Sequence, residues 1–436
     1  MARRDPPEAF PDHPGLFDGV LAAGPVRAAV GDGSWLRAML DAEVALARAS
    51  GAPPAVVEEI DSGCRTFAGS ALSAGAAGAG NPVIPLVREL RAAVSPAAAR
   101  YVHRGATSQD ILDTAAMLVA REALGLILID LSAAADAAAD LAEAHRDTPL
   151  AARTLLQQAL PTTFGLVAAG WLTALDEAAG RLAEVRDDRL AVQLGGAAGT
   201  LSALDLSTVE RFAAELGLAE PVLPWHTDRT RIADLAGALG TAAGAVAKVA
   251  RDVVLYAQTE VGELAEGKPG GSSTLPHKQN PVAAISAAAC AAQAPGLVAT
   301  LLATMAHEHQ RAAGAWHAEW QPLTALLRST GSAVHWLATC LPALRVDARR
   351  MRANLDATGG ALLAERISGA LAPKVGATEA HDLVRAAVAS GRPLSEAFAA
   401  HFQPAELADL LDPASYLGHA GELTDRAVRR HRERKP

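Results

Sequence analysis

The chain has 436 residues, a formal charge of −9 and a pI near 5.8, an acidic balance without the basic surface that a phosphate backbone requires, which argues against nucleic acid as a partner. Its length suggests several domains unless very long elements hold one core together. Cys64, Cys290 and Cys340 are an odd number, widely spaced and without metal-ligand spacing, so they read as ordinary buried thiols of a reducing cytoplasm.

The first residues, MARRDPPEAFPDHPG, mix charge with proline and lack the apolar stretch of a signal peptide, so export is not expected. Aromatic residues make up only 4% of the chain and alanine is abundant, which favours helix and starves strands. The expected fold class is all-α. WLRAMLDAEVALARA at 35–49 reads as an amphipathic helix with Ser34 as its cap. The Ala/Gly stretch at 71–80 reads as a loop leading into Asn81-Pro82. Proline is absent between Pro96 and Pro149, from Thr162 to Glu220 and from His226 to Lys268. Helical spacing inside these windows, as in Met117, Leu118, Arg121, Leu124, Ile127 and Leu128 or Val249, Val253, Tyr256 and Val261, predicts long bundled helices. The uncharged run Pro281–Ala306 is long enough to span a bilayer, but it is mostly Ala with Gln293 and Pro295 inside, and it reads as a buried core helix. These features divide the chain into an N-terminal helical domain (1–103), a central long-helix bundle (104–350) and a C-terminal helical domain (351–436).

The segment GKPGGSSTLPHKQNP, residues 267–281, is too rich in Pro and Gly for helix or strand. Backbone N–H groups freed by glycine, beside a cation and an amide, can hold an oxyanion or lower the pKa of a hydroxyl; by composition alone a flexible linker also fits. A phosphate-loop reading fails, because Gly262, Gly267 and Lys268 have the spacing but Pro269 stands where Ser or Thr must bind the metal.

GSSTLPHKQNP resembles the signature of the fumarase/aspartase superfamily, which includes class II fumarases, aspartases, argininosuccinate and adenylosuccinate lyases and the carboxymuconate cycloisomerases. Further similar segments follow in order: GNPVIPLV at 80–87, HRGATSQDILDTA at 103–115, RTLLQQALPTTFG at 153–165 and QLGGAAGT at 193–200. PWHTDRTRIA at 224–233 and EHQRAAGAWHAEW at 308–320 are similar to the cycloisomerase branch in particular. The resemblance implies three helical domains, a homotetramer whose sites combine segments of different subunits, no cofactor, a cytoplasmic location and a place in protocatechuate breakdown through the β-ketoadipate pathway.

It also implies that Ser272 moves a proton at the carbon alpha to a carboxylate. An unaided Ser hydroxyl is too weak a base for that, so Lys278 and nearby backbone N–H groups, with Gly270 and Gly271 as loop support, would stabilise the alkoxide. The intermediate would be an aci-carboxylate. Thr107, Ser108 and Asn280 match substrate-binding positions, with Ser273 and Thr274 beside them; without the resemblance, Thr107 and Ser108 could equally cap the helix ILDTAAML. Arg229 and Arg231 match a basic pair suited to gripping a tricarboxylate, or they are helix-start surface charges. His103, Gln158, His226, His309 and Glu308 are weaker candidates, each able to be a satisfied core polar group. His307, His309 and His317 lack the one-face spacing of a helical zinc motif, so no metal is expected.

Leu155 stands where lyases that expel an amine or water carry a His. A carboxylate leaving group, with a pKa of about 4, needs no acid, so Leu155 favours a carboxylate leaving group, whose departure is the reverse of lactone formation; in a cycloisomerase the substrate carboxylate adds to the double bond while Ser272 delivers the proton. Elimination of nitrite from nitrosuccinate meets the same condition. Adenylosuccinate lysis and a crystallin-like structural role fit less well. Arg104, Asp228 and Gln279 also depart from the pattern and are candidates for retuning the pocket.

Overall fold

A computed structural model describes residues 15–67, 69, 72–271 and 273–434 of the chain. The architecture is all-α, as expected, with two small antiparallel pairs as the only sheets among the described residues. The longest helices are Ser108–Ala144, Thr230–Tyr256 and Ala315–Cys340, with Phe164–Glu184 next. Proline spacing locates the first two well, although the Thr162–Glu220 window holds two helices, Phe164–Glu184 and Ser207–Leu216, joined by a π-turn and a long loop. Val261 lies beyond the end of the Thr230–Tyr256 helix.

The described residues group into two compact units. The first comprises residues through Asp130 with Ala178–Ala247 and Ser286–Trp336. Its buried side chains include Leu46, Leu86, Leu90, Ile111, Met117 and Leu124 on the early helices, in the i, i+3, i+4 pattern of helices that share a core. Within it the Ser207–Leu216 helix packs on Asp32–Ala49, where Arg211 Nε donates to the Ala49 carbonyl at 2.8 Å. Gly217 takes the left-handed C-terminal position of the shorter helix.

The second unit comprises Leu131–Glu177, Lys248–Ile285 and the chain from Leu337. It contains β1 (Pro149–Thr154) paired with β2 (Gln157–Thr163), and β3 (Leu264–Glu266) paired with β4 (Leu344–Val346). Ile367, Leu371, Val384, Leu394, Phe398, Phe402 and Leu407 form a separate apolar core near the C-terminus. The last helix, Ala420–Arg434, is fastened by polar side chains: His431 is bonded at 2.9 Å to both Asp136 and Asp176, and Arg146 makes a bidentate pair with Asp425.

Three local expectations need correction. Ser34 does not cap its helix, which already begins at Asp32; its hydroxyl donates back to the Ala28 carbonyl. The stretch expected to be a loop at 71–80 contains a helix, Leu72–Ala79, because its alanines outweigh its two glycines. The run Pro281–Ala306 is two helices, Val282–Ala291 and Ala294–Ala303, with Pro295 in the first turn of the second. That run is not mainly buried: only 39% of its most apolar window is covered, and Val282, Ile285 and Leu302 are exposed.

Candidate active site

The Ser108–Ala144 helix begins at the pair Thr107-Ser108, and Asp110 fixes that start. Asp110 is fully buried and accepts four hydrogen bonds: from Thr107 N at 2.9 Å, Gly195 N at 3.0 Å, Gly196 N at 2.9 Å and His226 Nε2 at 2.7 Å. One carboxylate therefore joins the segments 103–115, 193–200 and 224–233. Gly196 is required there, with φ of 71° and space for no Cβ, which would lie 2.8 Å from the Gly105 carbonyl. His226 is thus a satisfied core group, while Thr107 and Ser108 stand at the positive end of a 37-residue helix, where a carboxylate is favoured.

Arg311 completes this end. Its guanidinium donates to Thr107 Oγ1 at 3.1 Å and to the Ala197 carbonyl at 3.1 Å. Because Oγ1 already accepts from Arg311, the hydroxyl proton of Thr107 is left to donate. His103 and Ser108 line one pocket of about 360 Å³ with Arg88 and Arg91. His103 has φ of 58° and is held by Glu43, which accepts from its N at 2.8 Å and bonds its Nδ1 at 2.7 Å. Burial alone would lower the His103 pKa, but the hydrogen bond and charge of Glu43 raise it above the ordinary value.

Arg229 does not offer the free arm that a substrate carboxylate would need. Its guanidinium is buried and bonded to Asp113 at 2.8 Å and Glu319 at 2.6 Å, with the Nε and remaining N–H groups directed to the same two carboxylates and the Trp225 carbonyl. It is a structural ion centre, to which Trp316 Nε1 and Gln109 Nε2 also donate through Asp113. Burial raises the Glu319 pKa against the lowering effect of Arg229. Arg231 is separate from this centre and bonds the Arg189 carbonyl. Asp228 starts the Thr230–Tyr256 helix by accepting from Thr230 N at 3.0 Å and its hydroxyl at 2.7 Å, so this departure has a capping role of its own. Arg104 lies over the Tyr101 ring.

In the second unit, Leu155 and Leu156 form the two-residue turn between β1 and β2, both with positive φ and respectively 96% and 71% exposed. Two bulky residues in left-handed conformation are a costly choice for such a turn. The hairpin is anchored by Arg153, which grips Glu263 at 2.7 and 2.8 Å. Gln158 Nε2 donates to the Asn354 carbonyl at 3.0 Å while its buried Oε1 has no partner.

The signature segment leaves β3 and enters the Val282–Ala291 helix. Gly270 and Asn280 exchange two backbone hydrogen bonds of 2.9 Å, and the stretch beyond them, with Gly271, Lys278 and Gln279, is exposed. Asn280 Nδ2 reaches the Gly271 carbonyl at 3.4 Å, and Ser273 Oγ lies 3.5 Å from Thr274 Oγ1. Ser272 lies outside the described residues. His309 and Glu308 sit on an exposed turn, Glu308 accepting from Ala313 N. Among the described residues no three His, Cys, Asp or Glu side chains are grouped to hold a metal ion.

Sequence reasoning missed Glu43, Asp110, Glu266 and Arg311. The spacing of Thr107 and Asp110 carried a usable signal, a hydroxyl residue followed three positions later by an acid at a helix start. The other three depend on partners distant in sequence.

Comparison with known proteins places the chain in a family. A lyase family model matches residues 62–296. The chain belongs to this family, within the fumarase/aspartase superfamily. It is 47% identical to 3-carboxy-cis,cis-muconate cycloisomerase of Bradyrhizobium diazoefficiens, over 95% of this chain and 97% of that protein. It is 46% identical to nitrosuccinate lyase of Streptomyces davaonensis, over 95% and 94%. The crystal structure of 3-carboxy-cis,cis-muconate lactonizing enzyme from Pseudomonas putida superposes with a TM-score of 0.90 at 41% identity, covering 96% of this chain and 99% of that one.

Proposed function

We propose that the chain is an enzyme that converts 3-carboxy-cis,cis-muconate to a carboxymuconolactone without a cofactor. The observation that carries this reading is the 47% identity, over 95% of the chain, to a protein named for that reaction. Leu155 supports it: an exposed hydrocarbon at the hairpin tip cannot protonate an amine or hydroxide leaving group, whereas a carboxylate needs no such help.

In the lactonising direction a substrate carboxylate oxygen bonds to a carbon of the double bond. The displaced π electrons move to the adjacent carbon and its conjugated carboxylate, giving an aci-carboxylate. Ser272 then delivers its proton to that adjacent carbon and recovers one from solvent. Lys278, the loop N–H groups around Gly270 and Gly271, and Asn280 stabilise the serine oxygen and the intermediate. Thr107 and Ser108, at the helix start, and Arg231 bind substrate carboxylates, with Thr107 kept as a donor by Arg311. His103, Gln158, Ser273 and Thr274 line the site. Arg229 acts indirectly, by holding the helices that carry these groups.

The chain works as a cytoplasmic homotetramer whose sites combine segments from different subunits, and the exposed apolar residues Val282, Ile285 and Leu302 fit subunit contact. The domain division at residues 103 and 350 belongs to the same reading. Nitrosuccinate lysis is the second reading, favoured by the 46% identical relative and equally compatible with Leu155. Supplying each substrate to the purified protein separates them: the first reading expects rapid loss of the muconate, and nitrite release from nitrosuccinate without that loss would replace it with the second.

A further inference from the structure

The segment 267–281 is fastened at its two ends by one buried side chain. Glu266, the last residue of β3, is only 5% exposed. Its Oε2 accepts from Ala283 N at 3.2 Å and its Oε1 from Ala284 N at 2.8 Å. These are the second and third residues of the Val282–Ala291 helix, so a carboxylate immediately before the segment satisfies orphan amides immediately after it. The helix dipole and the charge of the acceptor both strengthen these bonds. Cys340 Sγ donates to the same Oε1 at 3.5 Å. Arg345 bonds the Glu266 backbone carbonyl, at 3.1 Å.

A second clamp lies just inside the first. Gly270 and Asn280 are bridged through both backbone pairs, and a Cβ on Gly270 would stand 2.2 Å from Val282 Cγ2. The incoming strand and the outgoing helix are therefore packed together with no slack. Glu266 also holds its place in β3, where it pairs with Leu344.

We infer that Glu266 is a positioning residue for the reaction: its carboxylate sets the separation and direction of the two ends of the signature segment, and so the placement of Ser272 and Lys278. The inference rests on the reading of those two residues as the proton-transfer pair. Thr107, Ser108 and Arg231, which bind substrate carboxylates, are not touched by Glu266, whereas Ser273, Thr274 and Asn280 ride on the segment beside Ser272 and Lys278, so its loss falls mainly on kcat with a smaller effect on KM.

The test is Glu266→Gln in the full-length protein. Glutamine preserves the shape but turns one N–H donor toward another. Three measurements are made: kcat and KM with whichever of the two substrates the native protein converts, hydrogen exchange across 267–281, and Tm. The inference expects kcat to fall on the order of tenfold to a hundredfold with KM within about twofold, and exchange to accelerate in that segment alone. A lower Tm with native kcat and native exchange would show that Glu266 only supports the fold, and would overturn the inference. An increase in KM at unchanged kcat would overturn it as well. If the Gln variant does not fold, Gly270→Ala carries the same expectation by forcing the inner clamp apart. A native protein inactive on both substrates would refute the functional reading alone, because exchange still decides whether Glu266 anchors the segment.

Discussion

Asp110 gathers four hydrogen bonds from three separate segments, so its worth lies in what it aligns. Asp110→Asn leaves one acceptor oxygen and turns an amide toward at least one former donor. Titration of substrate against rate should show KM raised roughly tenfold, with a smaller effect on kcat, because the Thr107 backbone loses its support. Arg229→Ala exposes a different dependence. It leaves Asp113 and Glu319 buried without their cation, and urea unfolding should register a loss of about 3–5 kcal/mol. A loss under 1 kcal/mol would contradict the ion-centre assignment. His103 adds a pH dependence of definite sign. Its folded pKa is raised by Glu43, so the pair stabilises fully below the unfolded value of about 6.5 and the contribution disappears as pH rises through the higher folded value. The Tm difference between the native protein and His103→Ala should therefore shrink as pH is raised from 6 through that window.

At the scale of elements, Asp228 and the Leu155-Leu156 turn make opposing predictions. Asp228→Ala removes the acceptor at the start of the Thr230–Tyr256 helix and should cost about 1 kcal/mol by chemical denaturation. Replacing Leu155-Leu156 by Asn-Gly relieves two left-handed leucines and should raise Tm, while altering turnover if the turn faces substrate. Such turns show what a sequence reveals about this fold. The Ser108–Ala144 and Thr230–Tyr256 helices were legible because proline is absent from them and apolar residues recur with their period, whereas Ala315–Cys340 carries Pro322 inside it and escapes that signal. The helix at Leu72–Ala79 was missed because its glycines resemble those of a loop. The ion centre around Arg229 was not legible for a related reason: a motif specifies which residues stand together in the chain, whereas Asp113 and Glu319, which occupy Arg229, lie 116 and 90 residues away.

For the whole molecule, exposed Val282, Ile285 and Leu302 and the incomplete burial of two apolar helices leave more hydrocarbon uncovered than a lone chain needs. Sedimentation should give about four times the chain mass of 44.7 kDa; a monomer would contradict the assembly. Mixing Ser272→Ala chains with chains altered at Thr107 should restore activity after subunit exchange, since some sites would then receive both intact segments. The overall reaction class was legible in the segment order, whereas Glu266 and Arg311 became visible only through their contacts.

The most direct test is to follow the conjugated-diene absorbance of 3-carboxy-cis,cis-muconate with purified protein and no added metal or cofactor, beside Ser272→Ala. The account predicts rapid loss with the native protein and essentially none with the variant; equal rates in the two, or no loss with the native protein, would contradict it.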